Sequence, residues 1–236
     1  LTKERKIMSL KKKVPSGAPD GYKIIIVDDH PIVRQGLADL VNQEHDLKVC
    51  GQAEDALQAV ALIKKFSPHL AVVDIALKDS SGIDLIKDIK IQFPRLLVLA
   101  LSMHDESLYA ERVLRAGAKG YIMKQEATEK VIGAIRKVLD GEIYLSDKMA
   151  GKMMRKLVGQ PAQPAVYTVE SLSDRELEVF LLIGEGFSTR RIAEKLFLSV
   201  KTIETYREHL KEKLNLADSA QLLQYAIQWV KSHDQP

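Results

Sequence analysis

The chain has 236 residues, 46% of them apolar and 28% charged, with a formal net charge of +3. Such a composition builds an ordinary packed core, and no apolar run approaches the ~20 residues that span a bilayer. A single cysteine, Cys50, excludes an internal disulfide and points to a reducing, cytoplasmic compartment. The charge excess is too small to imply a nucleic-acid partner, so that reading has to come from local clustering.

Residues 1–20 read as a disordered basic leader. Lys3, Arg5, Lys6, Lys11, Lys12 and Lys13 stand against Glu4, and Pro15, Gly17 and Pro19 break any periodicity. The leader has no apolar h-region of the kind a secretory signal carries. Its first residue is Leu, with Met8 as another candidate start.

From Tyr22 to about Gly141, β-branched runs alternate with helical periodicity. A strand at Lys23–Val27 precedes a helix from Pro31 to Gln43, with Pro31 suited to the first helical position. Lys48–Ala53 reads as the second strand and Asp55–Phe66 as the next helix. Leu70–Val73 leads to a helix over Ile83–Ile91, closed ahead of Pro94. Leu96–Leu101 leads to Glu106–Arg115, with Gly117 as its C-cap. Gly120–Met123 leads to Ala127–Leu139. Five β-α units in succession predict an α/β domain built on a doubly wound parallel sheet, over residues 21–143.

Residues 144–169 read as a linker that holds a short basic helix at Lys148–Leu157 and two prolines within Gly159–Pro164. Beyond it the pattern is wholly helical, over 170–236: Asp174–Gly184, Thr189–Leu196, Val200–Leu214 and Ser219–Val230. This predicts a second, four-helix domain.

The strands of the first domain end on a particular set of side chains. Asp28-Asp29 follow the first run, Asp74 the third, Ser102 the fourth and Lys124 the fifth. In an open α/β sheet these carboxyl ends meet at one edge, where such folds place their sites. A strand-end carboxylate such as Asp74 can attack a phosphoryl donor. Two anions then meet, which calls for a cation, and Asp28 and Asp29 offer the oxygen ligands that Mg²⁺ takes. Lys124 can neutralise a phosphate oxygen and Ser102 can donate to another. Taken singly, each of these residues has a plainer reading as a helix cap or a solvated lysine.

Two enzyme classes fit poorly. An aspartyl phosphatase carries a second carboxylate two residues after the nucleophile, and Ala76 stands there. A dinucleotide site has glycines after its first strand, whereas here Asp28-Asp29-His30-Pro31-Ile32-Val33 runs without glycine to Gly36. The protein is therefore read as no enzyme. Ala76 also leaves no side chain to orient an attacking water, so a phosphoryl group on Asp74 should be long-lived.

Asp28-Asp29-His30-Pro31, Asp74-Ile75, Ser81-Gly82, Ala100-Leu101-Ser102-Met103 and Gly120-Tyr121-Ile122-Met123-Lys124 resemble the receiver domains of two-component response regulators. The resemblance implies a flavodoxin-like fold with strand order 2-1-3-4-5 and phosphoryl transfer to Asp74 from a histidine kinase. It implies Mg²⁺ on Asp29, Asp74 and the backbone carbonyl of Ala76, with Asp28 acting largely through water. It makes Ser102 and Tyr121 the switch pair. The chain departs from the family pattern at Lys78 and Gln125, where proline is common; a cis bond before Gln125 would cost ~3–4 kcal/mol without proline. His104 falls near the pocket and reads as an ordinary loop histidine.

In the helical half, Ser173-Asp174-Arg175-Glu176 forms a capping box, and Ser199 opens a longer helix after a brief turn at Phe197-Leu198, a helix-turn-helix pattern. A plain helical bundle is the alternative. Seven basic and four acidic residues lie between Ser188 and Lys213, a modest excess, although phosphate contacts depend on position more than on total charge. Leu172-Ser173-Asp174-Arg175-Glu176-Leu177-Glu178-Val179, Gly186-Phe187-Ser188, Ile192-Ala193 and Leu198-Ser199-Val200-Lys201-Thr202-Ile203-Glu204-Thr205 resemble the LuxR-type DNA-binding domain.

With the receiver, this resembles a NarL/FixJ-type regulator. The resemblance makes Val200–Leu214 the recognition helix in the major groove of double-stranded DNA. Glu204, Thr205 and Glu208 would face base edges, and Lys201, Thr202, Arg207 and Lys211 would face phosphates. Leu222, Leu223, Ala226 and Trp229 resemble the family's dimerisation helix, implying a homodimer when phosphorylated; an intramolecular core face is the alternative for these four. A receiver that acts by docking proteins or draining phosphate, without regulating DNA, is the competing function.

Overall fold

The computed structural model describes residues 21–77, 80–157 and 167–233. The basic leader, Lys78 and the Gly159–Pro164 linker lie outside them. The first domain is a five-stranded parallel sheet of β1 (Tyr22–Val27), β2 (Leu47–Ala53), β3 (Leu70–Asp74), β4 (Leu97–Ser102) and β5 (Gly120–Met123), in the order 2-1-3-4-5. Helices α1 (Pro31–Asn42), α2 (Ala56–Phe66), α3 (Gly82–Gln92), α4 (Glu106–Ala116) and α5 (Lys124–Leu139) connect and cover it.

Both faces of the sheet are dry, which is why its strands are continuous apolar runs rather than alternating ones. Ile24, Ile26, Leu70, Val72, Leu99, Leu101 and Ile122 meet the helix face of α1 and α5. Ile25, Val27, Ala71, Val73, Val98, Ala100 and Tyr121 meet α2, α3 and α4. Each such side chain contributes about 1.5–3 kcal/mol by leaving water, and the alternation fixes the register, because a one-residue slip would exchange the two faces.

The local signals act largely as anticipated. Pro31 opens α1, and Asp55 caps α2 by accepting from the Gln58 amide at 2.8 Å. Gly117 ends α4 at φ +116°, a left-handed conformation that a Cβ would strain. The last receiver helix begins at Lys124 rather than at Ala127. No cis peptide bond occurs among the described residues. After Asp74 the chain makes a short antiparallel ladder, pairing Ala76-Leu77 with Ser80-Ser81, which no alternation announced.

Beyond α6 (Asp147–Leu157) and a single 3₁₀ turn at Val169–Ser171 come α7 (Asp174–Gly184), α8 (Thr189–Leu196), α9 (Val200–Leu214) and α10 (Ser219–His233). Phe180 sits at their centre against Tyr225 and Trp229, with ring centroids 5.8 Å away in both cases. Ser173 and Glu176 form the capping box of α7. Among the described residues no helix is long and apolar enough to cross a membrane.

Candidate functional site

Register brings the strand ends to one level. Val27 pairs with Val73, so Asp28 and Asp74 are neighbours one residue further on; Ser102 pairs with Met123, so Lys124 follows directly. Asp28, Asp74 and Ser102 are buried. The ammonium of Lys124, itself only 5% exposed, lies 2.8 Å from Asp28 Oδ2 and 2.6 Å from Asp74 Oδ2. Asp74 Oδ1 accepts the Ala76 amide at 3.0 Å. His30, which was not singled out as a site residue, joins the group: its Nδ1 is 2.9 Å from Asp29 Oδ1, 3.1 Å from Asp28 Oδ1 and 3.4 Å from Lys124 Nζ.

The electrostatics follow from burial. Desolvation lifts the Asp74 carboxyl to about 6, even though Lys124 and the Ala76 amide pull it down. Burial disfavours the charged Lys124, but its bonds to Asp28 and Asp74 outweigh that and raise it. Such a pair is costly to break from one side, since the remaining charge stays buried.

One oxygen atom or imidazole nitrogen from each of Asp28, Asp29, His30 and Asp74 falls within 4.8 Å of all the others. Buried Asp28 Oδ2 and Asp29 Oδ1 accept no well-formed hydrogen bond; the Lys124 ammonium lies near the first and the His30 imidazole near the second. Hard carboxylate oxygens left in this condition fit a divalent cation such as Mg²⁺.

Ser102 and Tyr121 converge on His104. Ser102 Oγ accepts the His104 amide at 2.9 Å, and the buried Tyr121 hydroxyl donates to the His104 carbonyl at 2.6 Å. The His104 ring stacks on Tyr109 with centroids 5.1 Å apart. The sequence offered no sign of this, because the stacking partner lies a turn away across a helix start.

The two domains touch directly. Asp174, at the start of α7, accepts from Lys87 of α3 at 2.9 Å and from Arg112 of α4 at 3.1 Å. Arg112 also donates to the Glu170 carbonyl, and Arg175 lies 3.7 Å from Asp84. Burial favours the neutral form of Asp174, but the Lys87 and Arg112 bonds prevail and hold its carboxyl below the usual range. Beside this cluster a cavity of about 460 Å³ is lined by Asp29, Ala76, His104 and Tyr109 from the receiver side and by Glu178 and Leu182 from α7.

In α9, Ile203, Leu210 and Leu214 are buried, while Lys201, Glu204, Thr205 and Glu208 are exposed. Thr202, Arg207 and Lys211 are half-buried. The Thr202 amide and hydroxyl both bond Ser199 Oγ, so this threonine serves the helix cap. Lys211 pairs with Glu208 at 2.8 Å. In α10, Leu222 and Ala226 are fully buried in the domain's own core, and the partly buried Trp229 packs on Phe180. Only Leu223 of the expected dimer residues, 41% exposed, faces outward.

Comparison with known proteins matches this arrangement. The family model "Response regulator receiver domain" covers residues 24–136, and "Bacterial regulatory proteins, luxR family" covers residues 170–226. The oxygen regulatory protein NreC of Staphylococcus carnosus is 37% identical over 209 residues, which are 87% of this chain and 96% of that protein. The chain is a NarL-type two-component response regulator. Among solved structures, the regulator is similar to RcsB from Salmonella enterica serovar Typhimurium bound to promoter rprA in the presence of the phosphomimetic BeF₃⁻. That match has 29% identity and a TM-score of 0.62, covering 88% of this chain and 98% of that one. A further RcsB structure from Salmonella typhimurium matches at 29% identity and a TM-score of 0.65, over 89% of this chain and 98% of the other. The regulator belongs to a DNA-binding class rather than an enzyme class, and its receiver implies a phosphodonor kinase.

Proposed function

We propose that the regulator takes a phosphoryl group on Asp74 from the phosphohistidine of a sensor kinase, and that this controls DNA binding through α9. The receiver would span 21–143, the linker 144–169 and the DNA-binding domain 170–236. The observation that carries the reading is the buried Asp74 carboxylate at the end of β3, set against Lys124 and beside two further carboxylates.

In the transfer, an Asp74 carboxylate oxygen bonds to phosphorus as the bond from phosphorus to the kinase imidazole breaks. Asp28, Asp29, Asp74 and the Ala76 carbonyl would hold Mg²⁺, which supplies charge neutralisation between the approaching anions. Lys124 stays paired with the remaining carbonyl oxygen of phosphorylated Asp74 or with a phosphoryl oxygen, and Ser102 turns its hydroxyl to another oxygen. No second carboxylate follows at Ala76 to activate water, so the acceptor stores the group instead of turning it over. On this reading the protein is a switch and not an enzyme.

On the output side, Glu204, Thr205 and Glu208 would read base edges from the exposed face of α9. Lys201, Arg207 and Lys211 would meet phosphates, with Thr202 contributing through the capped helix start. Phosphorylated chains would act in the cytoplasm as homodimers on paired half-sites; that a similar chain, RcsB, is seen bound to promoter rprA in the presence of BeF₃⁻ supports the DNA-binding part of this reading.

Acetyl phosphate with Mg²⁺ should label the protein in an acid-labile, base-labile form, and Asp74→Asn should abolish the label. Retention of that label in Asp74→Asn would refute the assignment.

A further inference from the structure

The switch hydroxyls of Ser102 and Tyr121 lie inside the receiver, while the contact that holds the two domains together runs along the outer face of α4. Tyr109 and Arg112, three residues apart, share that face. Arg112 bonds Asp174 of α7. Tyr109 is 4% exposed and lines the same cavity as Arg175, Glu178, Leu181 and Leu182. Burial, and next the nearby Glu178 carboxylate, push the Tyr109 hydroxyl upward, which places it under the second domain's charge.

His104 bridges the two regions. Its amide bonds Ser102 Oγ, its carbonyl accepts from Tyr121, and its ring stacks on Tyr109 at 27° between planes. The two peptide groups that flank His104 are thus held one by each switch hydroxyl, and the side chain of the same residue rests on the interdomain face.

We propose that His104 is a positioning residue that transmits the state of Asp74 to the contact between α4 and α7. The inference rests on Asp74 being the phosphoacceptor. When the Ser102 hydroxyl turns to a phosphoryl oxygen, the acceptor of the His104 amide moves with it. The His104 peptide follows, the imidazole leaves the Tyr109 ring, and Tyr109 is free to change its packing beneath α7. Arg112, one turn along, then loses its fixed geometry towards Asp174. The imidazole works here as a flat, rigid face; its proton chemistry is not used.

The test uses the full chain with BeF₃⁻ and Mg²⁺ as the phosphoryl mimic. Spin labels on exposed Leu57 of α2 and Leu223 of α10, in a Cys50→Ser background, report the domain separation. Fluorine NMR reports BeF₃⁻ occupancy. In the parent chain BeF₃⁻ should raise the ratio of open to closed molecules by about fivefold or more. In His104→Ala, BeF₃⁻ should still bind while the ratio changes by less than about twofold. His104→Phe, which keeps a flat ring on Tyr109, should restore the response. Tyr109→Leu removes the same stack from the far side, away from the acceptor, and should behave like His104→Ala. This second variant decides the matter if His104→Ala binds BeF₃⁻ poorly. A full response in both occupied variants overturns the relay and leaves the phosphoacceptor reading intact. Failure of the parent chain to bind BeF₃⁻ overturns that reading itself, and the relay with it. Binding in the parent chain without any change in domain separation overturns the relay alone.

Discussion

The ion pairs on Asp174 offer a direct measure of how firmly the receiver holds its DNA-binding domain. Asp174→Ala removes two charged bonds at once. Arg112 is 14% and Asp174 24% exposed, so this bond is mostly dry and is worth about 1.5 kcal/mol. Lys87 is 46% exposed, and solvent screening reduces its share to about 0.5 kcal/mol. The loss of an acidic residue from the first turn of α7 weakens that helix equally in the open and closed forms, so it cancels. The closed form should therefore lose about 2 kcal/mol, shifting the equilibrium roughly 30-fold towards the open form. Dipolar spectroscopy on the Leu57 and Leu223 labels measures that shift. A cycle with Arg112→Ala and the double variant isolates the pair, with an expected coupling of about 1.5 kcal/mol. An unchanged distance distribution in Asp174→Ala, or a coupling near zero, would show that these contacts do not hold the domains together.

The raised Asp74 carboxyl predicts how the pocket takes up metal. The cation needs the ionised form, and protons compete once the pH falls below about 6, so Mg²⁺ affinity by calorimetry should drop up to about tenfold per pH unit there and level off above about pH 7. A flat profile from about pH 5 to 7 would contradict the burial argument. Gly82→Ala should be severely destabilising, by about 3 kcal/mol or more in chemical denaturation, because the new Cβ would lie 2.0 Å from the Asp74 carbonyl oxygen and 2.5 Å from Ile75 Cα; a near-neutral result would mean the loop under the acceptor is not as fixed as the contact implies. Glu178 is pushed upward by burial, against the pull of Arg175. A raised acid loses stability as pH rises through its folded value, so Glu178→Gln should match the parent in melting temperature near pH 4 and exceed it near about pH 7. The absence of any pH-dependent gap between the two would refute it.

Much of the fold was legible because a sheet buried on both faces writes itself as uninterrupted apolar runs. The residues that end those runs then stand at one edge, and Asp28, Asp74 and Lys124 are close in space for that reason. The start of α5 was misplaced because Lys124, Gln125 and Glu126 carry no apolar period and Met123 offers no side-chain cap. The expected dimer face on α10 could not be told from a core face, since both need the same spacing; at Gly184 the α10 backbone at Ala226 packs so close that no Cβ would fit. The interdomain cluster was invisible for a different reason. Lys87, Arg112 and Asp174 are ordinary charged helix residues, and nothing in their own neighbourhoods marks them as partners across 62 and 87 positions. His104 was hidden in the same way, since its importance lies in three contacts made by its amide, its carbonyl and its ring.

The placement of the domains bears on how such a regulator is controlled. A simple lid would bury the proposed reading face, yet Lys201, Glu204, Thr205 and Glu208 are all exposed in the closed arrangement. The receiver instead grips α7 at its start, and the cavity edge reaches Lys195, Leu196 and Phe197 at the end of α8. What this restricts is orientation. A helix-turn-helix dimer has to place two recognition helices about one DNA turn, ~34 Å, apart in adjoining major grooves. A reading head fastened to its own receiver can meet that spacing only if the receivers themselves allow it. Release of α7 would relax the constraint without altering any side chain proposed to face the bases. The proposed acceptor, Asp74, is well sited for that control, because Asp29, close to it in space, and Ala76, two residues on, line the space between the domains. A phosphoryl group on Asp74, as proposed, would add its charge beside the cavity between the domains, although Asp74 stands a hundred residues ahead of Asp174 along the chain.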